Sequence, residues 1–498
     1  MRGLTLNRAL LLALLLGAGN LFGFAPFSLH WLPIVTLAGW FALLQRFPEP
    51  RQALRLGFAF GFASFAAGVG WLFISLNHYG GMPAPLAVLA VALFAAYLAL
   101  FPALAAWMAA RAGGIHHLLV LPACFGLAEW LRGWLFSGFP WLSPGYSQVP
   151  DGWLAGYAPV LGVYGLTYLL GVCAALLLLL LRRETGRPLR LVAAVALILL
   201  LLAGVGLRQV AWTRPVGAPV SVALLQGNIP QDRKWQESEL ADTFERYRRL
   251  VMAARQQLIV LPETALPIFL HDIPGEYLDA LRAHARNVGA DVLLGVPALT
   301  DNGQQYYNTV TSLGVSATQM YRKIHLVPFG EFIPFKRLLG GVYQSLNIPL
   351  TDFAEGSQAQ GAMQVAGQKL LVNICYEDVF GEELIRRVPA ATLMLNVTND
   401  AWYDRSPAAQ QHLQISQMRA LETGRYMLRA TNTGMTAIID EQGRLQQLAP
   451  WFEQLALTGQ AQGFQGETPY VRFGNLPVVV WMLLLLVAGL IRRQRHGA

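Results

Sequence analysis

Eight apolar runs, near residues 9–26, 30–45, 56–76, 84–110, 117–136, 159–181, 191–207 and 476–491, constrain this chain more than any other feature. Crossing a bilayer takes about 20 apolar residues in a helix, because lipid leaves the backbone only its own groups to bond with. The second run is short and the fourth long, but the set predicts eight spans. Composition agrees: of 498 residues, 54% are hydrophobic and 13% charged, against about 25% charged in a soluble protein. Arg2 and Arg8 precede the first run, as in a secretory signal. Seven further runs and no clear small-residue cleavage site argue for an anchor instead.

The arginines set the expected orientation. Arg2 and Arg8 come before the first span, Arg46, Arg51 and Arg55 between the second and third, and Arg111 between the fourth and fifth. Arg182, Arg183, Arg187 and Arg190 lie between the sixth and seventh, and Arg492, Arg493 and Arg495 after the eighth. These are alternate loops, so they share one side, predicted to be the cytoplasm. The net charge of +8 therefore reads as a topology signal; no basic–aromatic stripe suggests nucleic acid. Residues 1–214 are read as a seven-span membrane domain, 215–470 as an external domain, and 471–498 as the eighth span with a basic tail. In the spans, Glu129 and Arg132 sit three apart and face one side of a helix. They are either a structural pair or, with Arg132 near the outer end, a contact for a lipid phosphate. The Pro-, Gly- and Trp-rich stretch Ser137–Gly156 suits the lipid–water interface.

Residues 215–470 differ in kind. Val220–Gln226, Leu258–Pro262, Asp291–Val296, Leu370–Cys375 and Thr392–Thr398 read as short buried strands. Glu237–Gln256, Glu276–Val288 and Gln410–Arg429 read as amphipathic helices, and Asp378–Arg387 as a further one. Strands alternating with helices predict an α/β domain large enough for its own core. Polar residues follow several strand ends: Glu263, Cys375, and Asn399 with Asp400. Ligand sites of α/β folds gather at the carboxyl ends of strands, so Glu263 and Cys375 are expected in one cleft.

Cys124 and Cys173 fall in apolar spans, which leaves Cys375 as the thiol of the polar region. It is either a buried structural cysteine or an exposed one whose thiolate is favoured at a helix start. The chain has four lysines, Lys234, Lys323, Lys336 and Lys369, against many arginines. Lys323 is either a solvated turn charge or a compact point charge with a task. Together, Glu263 as general base, Lys323 as oxyanion stabiliser and Cys375 as nucleophile make an acyl-transfer site. The backbone N–H after the cysteine would assist at the oxyanion. No His or Cys pairing points to a metal, and no cofactor is called for.

The order Leu261-Pro262-Glu263, then Arg322-Lys323-Ile324-His325-Leu326-Val327-Pro328-Phe329-Gly330-Glu331, then Ile374-Cys375-Tyr376-Glu377 resembles the nitrilase superfamily and its Glu-Lys-Cys triad. With the spans around it, the chain more specifically resembles the bacterial apolipoprotein N-acyltransferase family. Also similar are Gln226-Gly227-Asn228-Ile229-Pro230 with Trp235, Tyr307-Asn308-Thr309, and Asn396-Val397-Thr398-Asn399-Asp400-Ala401-Trp402. Glu129-Trp130-Leu131-Arg132-Gly133 with Gly138-Phe139-Pro140-Trp141 fits too.

The resemblance implies a nitrilase-like αββα sandwich inserted into an eight-span platform of the inner membrane, with the catalytic domain in the periplasm. It implies transfer of the sn-1 acyl chain of a phospholipid, expected to be phosphatidylethanolamine, through a Cys375 thioester. The acceptor would be the α-amine of a diacylglyceryl-cysteine at an apolipoprotein N-terminus. Glu331 would orient Lys323 or bind substrate, Tyr376 and Glu377 would shape the pocket, and Trp235 and Asn308 would sit on loops over the cleft. The apolar segment Phe332–Leu350 is either an arm dipping into lipid or a folded-back core loop. Two other readings compete: a membrane-tethered amidase acting on small external amides, and a transporter with an appended domain, which would show polar or broken mid-membrane helices.

Overall fold

A computed structural model describes residues 4–113, 118–182, 184–333 and 353–496. The apolar segment Phe332–Leu350 lies mostly outside the described residues. The chain divides into two compact units: residues 1–73, 84–211 and 472–498, and residues 74–83 with 212–471.

In the first unit, helices Leu6–Asn20, Leu32–Arg46, Pro50–Gly68, Ala84–Arg111, Val120–Arg132, Ala158–Leu181, Arg187–Leu207 and Leu476–His496 fall on the eight apolar runs. Among the described residues, five helical segments are long and apolar enough to cross a membrane: Leu6–Gly23, Ala84–Arg111, Ala155–Leu181, Arg187–Leu207 and Leu476–Gln494. The others fall short for physical reasons. Leu32–Arg46 has 15 residues, or about 22 Å of helix against about 30 Å of hydrocarbon. Pro50–Gly68 carries Arg51 and Arg55 in its first turns. Val120–Arg132 has 13 residues and ends in the Glu129/Arg132 pair. Arg187–Leu207, of mean hydropathy 2.5, buries little beyond Ala193 and Gly204, and it exposes leucines and valines as a lipid-facing helix does.

Arg132 is enclosed. It is 1% exposed, and its Nε donates to Glu129 Oε1 at 3.3 Å, its Nη2 to Glu129 Oε2 at 2.5 Å and to Ser143 Oγ at 3.0 Å. Its Nη1 donates to the carbonyls of Phe139 and Trp141, and its guanidinium lies over the Phe65 ring at 4.9 Å. The structural pair is thus what forms. Those bonds tie the helix to the following stretch, of which Pro140 to Val149 is buried. Removing one partner of a buried pair strands the other charge. Arg132→Met is therefore expected to destabilise the detergent-solubilised protein by about 3–5 kcal/mol, read as a lowered Tm. The double change Arg132→Met/Glu129→Gln should recover part of that loss.

The second unit is built on two six-stranded sheets. In chain order its strands are β1 (Arg214–Pro215), β2 (Val220–Gln226), β3 (Leu258–Val260), β4 (Asp291–Leu299), β5 (Tyr306–Gly314), β6 (Met320–Arg322) and β7 (Met363–Val365). They continue with β8 (Gln368–Ile374), β9 (Leu393–Thr398), β10 (Met427–Thr431), β11 (Ala437–Ile439), β12 (Leu445–Leu448), β13 (Leu455–Ala461) and β14 (Phe464–Gln465). One sheet runs β13-β2-β3-β4-β5-β6 and the other β12-β11-β10-β9-β8-β7. Each has a parallel centre, β2-β3-β4 or β8-β9-β10, with antiparallel strands outside it.

Side-chain alternation explains why two sheets form. Val222 and Leu224 of β2 join Leu370, Val372 and Ile374 of β8 and Leu395 and Val397 of β9 in one buried cluster. The intervening Ala223 and Leu225 meet Tyr247, Val251, Leu281 and Ala285 of helices Glu237–Ala253 and Gly275–Val288. Leu371 and Met394 meet Leu413 and Ala420 of helix Ala408–Thr423. Central strands are buried on both faces and so read as mostly apolar runs.

Two predicted helices are corrected. The helix expected over Gln410–Arg429 stops at Thr423, because Gly424 at φ +62 takes the left-handed cap. The chain then turns into β10, which pairs with both β9 and β11. The helix expected over Asp378–Arg387 is two short pieces, a 3₁₀ turn Cys375–Val379 and a turn Gly381–Leu384. Phe380 at φ −97, ψ 76 separates them.

Candidate functional site

The site forms in the second unit where strands end. Glu263 follows β3, Lys323 follows β6, Cys375 follows β8, and Asn308 lies on β5. The Glu263 turn is seated on β4 at a glycine: a Cβ on Gly295 would lie 2.1 Å from the Pro262 carbonyl oxygen. The Ala265 N–H donates to the Gly295 carbonyl at 2.9 Å. Only a residue without a side chain permits that approach.

Lys323, 1% exposed, donates from Nζ to Glu331 Oε1 at 2.8 Å and lies 3.8 Å from Glu263 Oε1. Asn308 Nδ2 donates to both carboxylates, at 2.7 Å to Glu263 Oε1 and 3.1 Å to Glu331 Oε1. The other oxygens are also held: Asn399 N–H donates to Glu263 Oε2 at 2.9 Å and Val327 N–H to Glu331 Oε2 at 2.8 Å. Burial pulls the Lys323 ammonium down, but Glu331, Glu263 and Cys375 outweigh it and hold the pKa above the ordinary lysine value. Lys323 is therefore a fixed positive charge between two fixed carboxylates.

Cys375 stands at φ +54, a left-handed conformation that costs a residue with a Cβ about 1–2 kcal/mol. Such strain marks a turn the surrounding structure over-determines. The thiol is only partly exposed, not open to solvent as expected at a strand–helix junction. Burial and the Glu263 charge push its pKa well up, against the pull of Lys323 and a hydrogen bond with Thr398. The thiol is thus held neutral at rest and needs a base beside it.

The supporting residues take different places. Glu331 orients Lys323 and Asn308 bridges the carboxylates, as above. Glu377 turns into the protein: Oε1 accepts from Ile324 N–H at 2.7 Å and His325 N–H at 3.1 Å, and Oε2 from Ile374 N–H at 2.6 Å. Tyr321 Oη donates to it at 2.9 Å. It clamps the Lys323 loop to the Cys375 loop, and burial raises its pKa. Tyr376 packs edge-on against Phe380, centroids 5.0 Å apart. Trp235 is half-buried with Nε1 unpartnered among the described residues.

Several neighbours escape a sequence reading. Lys234, 3% exposed, donates to the Glu263 main-chain oxygen at 3.4 Å. Burial pulls its ammonium down to about 8, against Glu263 and Cys375. Asn399, which feeds Glu263, also donates from Nδ2 to Gln231 Oε1 at 2.8 Å. Gln231 and Lys234 lie in the loop beyond β2, too far past the strand end for the rule that finds Glu263.

Comparison with known proteins places the chain. Residues 16–176 match the family described as the apolipoprotein N-acyltransferase N-terminal domain, and residues 221–464 match carbon–nitrogen hydrolase. A protein of Nitrosomonas europaea named apolipoprotein N-acyltransferase is 52% identical over 485 residues, covering 96% of each chain. Proteins of the same name from Chromobacterium violaceum and Neisseria meningitidis are 47% and 37% identical, covering 98% and 97% of this chain and 95% and 97% of theirs. With both regions matched in order and relatives aligned almost end to end, the chain belongs to the apolipoprotein N-acyltransferase family.

Proposed function

We propose that this enzyme moves an acyl chain from a phospholipid to the N-terminal α-amine of a diacylglyceryl-cysteine on an apolipoprotein, by way of a thioester on Cys375. The observation that carries it is the meeting of Glu263, Lys323 and Cys375 in one buried charge cluster, in a chain whose other unit exposes lipid-facing helices. In the first half-reaction Glu263 takes the thiol proton and the sulfur attacks the ester carbonyl carbon. Lys323 and the N–H after Cys375 receive the oxyanion. The C–O bond breaks, Glu263 returns the proton to the departing glycerol oxygen, and a lysophospholipid leaves. In the second, the deprotonated acceptor amine attacks the thioester, the C–S bond breaks, and Glu263 carries an amine proton to the sulfur. A thioester suits both steps, being reactive enough to make an amide downhill.

The finer reading places this chemistry in an αββα sandwich on the periplasmic side of an eight-span platform in the bacterial inner membrane, with the sn-1 chain of phosphatidylethanolamine as donor. The arginine pattern and the two sheets sharing one core support it. Purified protein in micelles with sn-1-labelled phosphatidylethanolamine and a diacylglyceryl-cysteine peptide should give the labelled N-acyl peptide and a lysophospholipid in equal amounts. Lysophospholipid with free fatty acid and no acylated peptide would instead mark a hydrolase.

A further inference from the structure

The turn carrying Cys375 rests on a buried ion quartet that the mechanism above does not use. His412, 2% exposed, places Nδ1 3.0 Å from Asp400 Oδ1 and Nε2 2.9 Å from Asp378 Oδ1. Carboxylate oxygens only accept, so both ring nitrogens donate and the ring is an imidazolium. Arg429 Nη2 donates to Asp400 Oδ2 at 2.7 Å, and its Nη1 lies 3.6 Å from Asp378 Oδ2. Ser416 Oγ donates to Asp378 Oδ2 at 2.5 Å. Two carboxylates are balanced by two cations only when His412 is charged. The largest charges acting on the ring are those of Arg429, Asp378 and Asp400. Burial and Arg429 lower its pKa, the two aspartates more than reverse this, and it is pushed up to about 9.

The quartet touches the nucleophile's own backbone. His412 Nε2 lies 3.2 Å from the Cys375 carbonyl oxygen, and Asn396 Nδ2 donates to the same oxygen at 2.9 Å. That carbonyl shares a peptide unit with the Tyr376 N–H. Donors on a carbonyl draw charge through the amide and strengthen its N–H as a donor.

On the acyl-transfer reading above, we propose that His412 is a positioning residue: its doubly protonated ring fixes and polarises the Cys375–Tyr376 peptide, whose N–H receives the oxyanion. The quartet thus does more than fill the space behind the turn.

The test separates polarisation from charge balance. His412→Gln removes one cation and unbalances the quartet. His412→Gln/Asp378→Asn also removes one anion and leaves the Asp400–Arg429 pair neutral. The double variant is expected to regain most of the wild-type Tm and to react with iodoacetamide at Cys375 near the wild-type rate. Its kcat for thioester formation from phosphatidylethanolamine should still be down about 10- to 100-fold with KM little changed. A kcat that returns with Tm overturns the proposal. If both variants fail to fold, the wild type carries the test. Its thioester formation, divided by its alkylation rate to cancel the thiolate fraction, should fall above pH about 9 while its circular dichroism holds; a flat ratio overturns the proposal. Wild-type protein that takes no acyl group at all would instead sink the acyl-transfer reading.

Discussion

Glu263→Gln is expected to slow acyl transfer by about 10²- to 10⁴-fold while leaving Cys375 easier to alkylate. The two effects have opposite signs because Glu263 does two things. Its charge, with burial, holds the thiol pKa up, so neutralising it shifts the alkylation profile to lower pH. Its carboxylate also takes and returns the proton in both half-reactions, and glutamine cannot. The substitution is nearly isosteric but not silent. Asn308 Nδ2 and Asn399 N–H both point donors at the side chain, and glutamine has one acceptor oxygen for the two. Stopped-flow alkylation across pH, set beside thioester formation, reads both signs. A parallel fall in alkylation and transfer would make Glu263 a structural carboxylate.

Lys323→Met should cost about 10³-fold in kcat/KM for thioester formation, the scale of losing a fixed oxyanion donor together with the order around it. Without the ammonium, Glu263 and Glu331 keep only the Asn308 amide between them. Two buried carboxylates left without their cation repel each other, so the geometry that the ammonium fixes is lost as well. Lys323→Arg should rescue little, because a planar fork does not replace a point charge wedged 2.8 Å from one carboxylate and 3.8 Å from another. Rates of thioester formation, with Tm as the control for folding, check this. A variant within about tenfold of wild type would remove Lys323 from the oxyanion role.

What the sequence makes legible follows from which physical signals are local. Hydropathy and arginine placement are local, and each apolar run carries a helix. Val220–Gln226 and Leu370–Cys375 are legible because strands buried on both faces carry mostly apolar side chains. β5 is not, because its buried residues mix Thr309, Thr311 and Ser312 with Val310 and Leu313. β10 is missed because the polar, helix-like pattern of residues 410–423 runs on past Gly424. Glu263 and Cys375 stand out because a polar residue after an apolar strand has few structural uses, and Lys323 because lysine is scarce beside arginine in this chain. The inward turn of Glu377 is not legible: its partners Tyr321, Ile324 and His325 lie 52–56 positions away. The ion quartet is hidden in the same way, since its members come from two turns, a strand and a helix that only the folded sheet brings together.

The account stands on an acyl group carried by Cys375. Intact-protein mass spectrometry after incubation with phosphatidylethanolamine tests this most directly. The expected result is one fatty-acyl mass increment that maps to Cys375, is released by hydroxylamine, is absent from Cys375→Ala, and passes to an added diacylglyceryl peptide as an amide. A wild-type preparation that acylates the peptide while Cys375 never gains that mass, even when the acceptor is withheld, would contradict the thioester route.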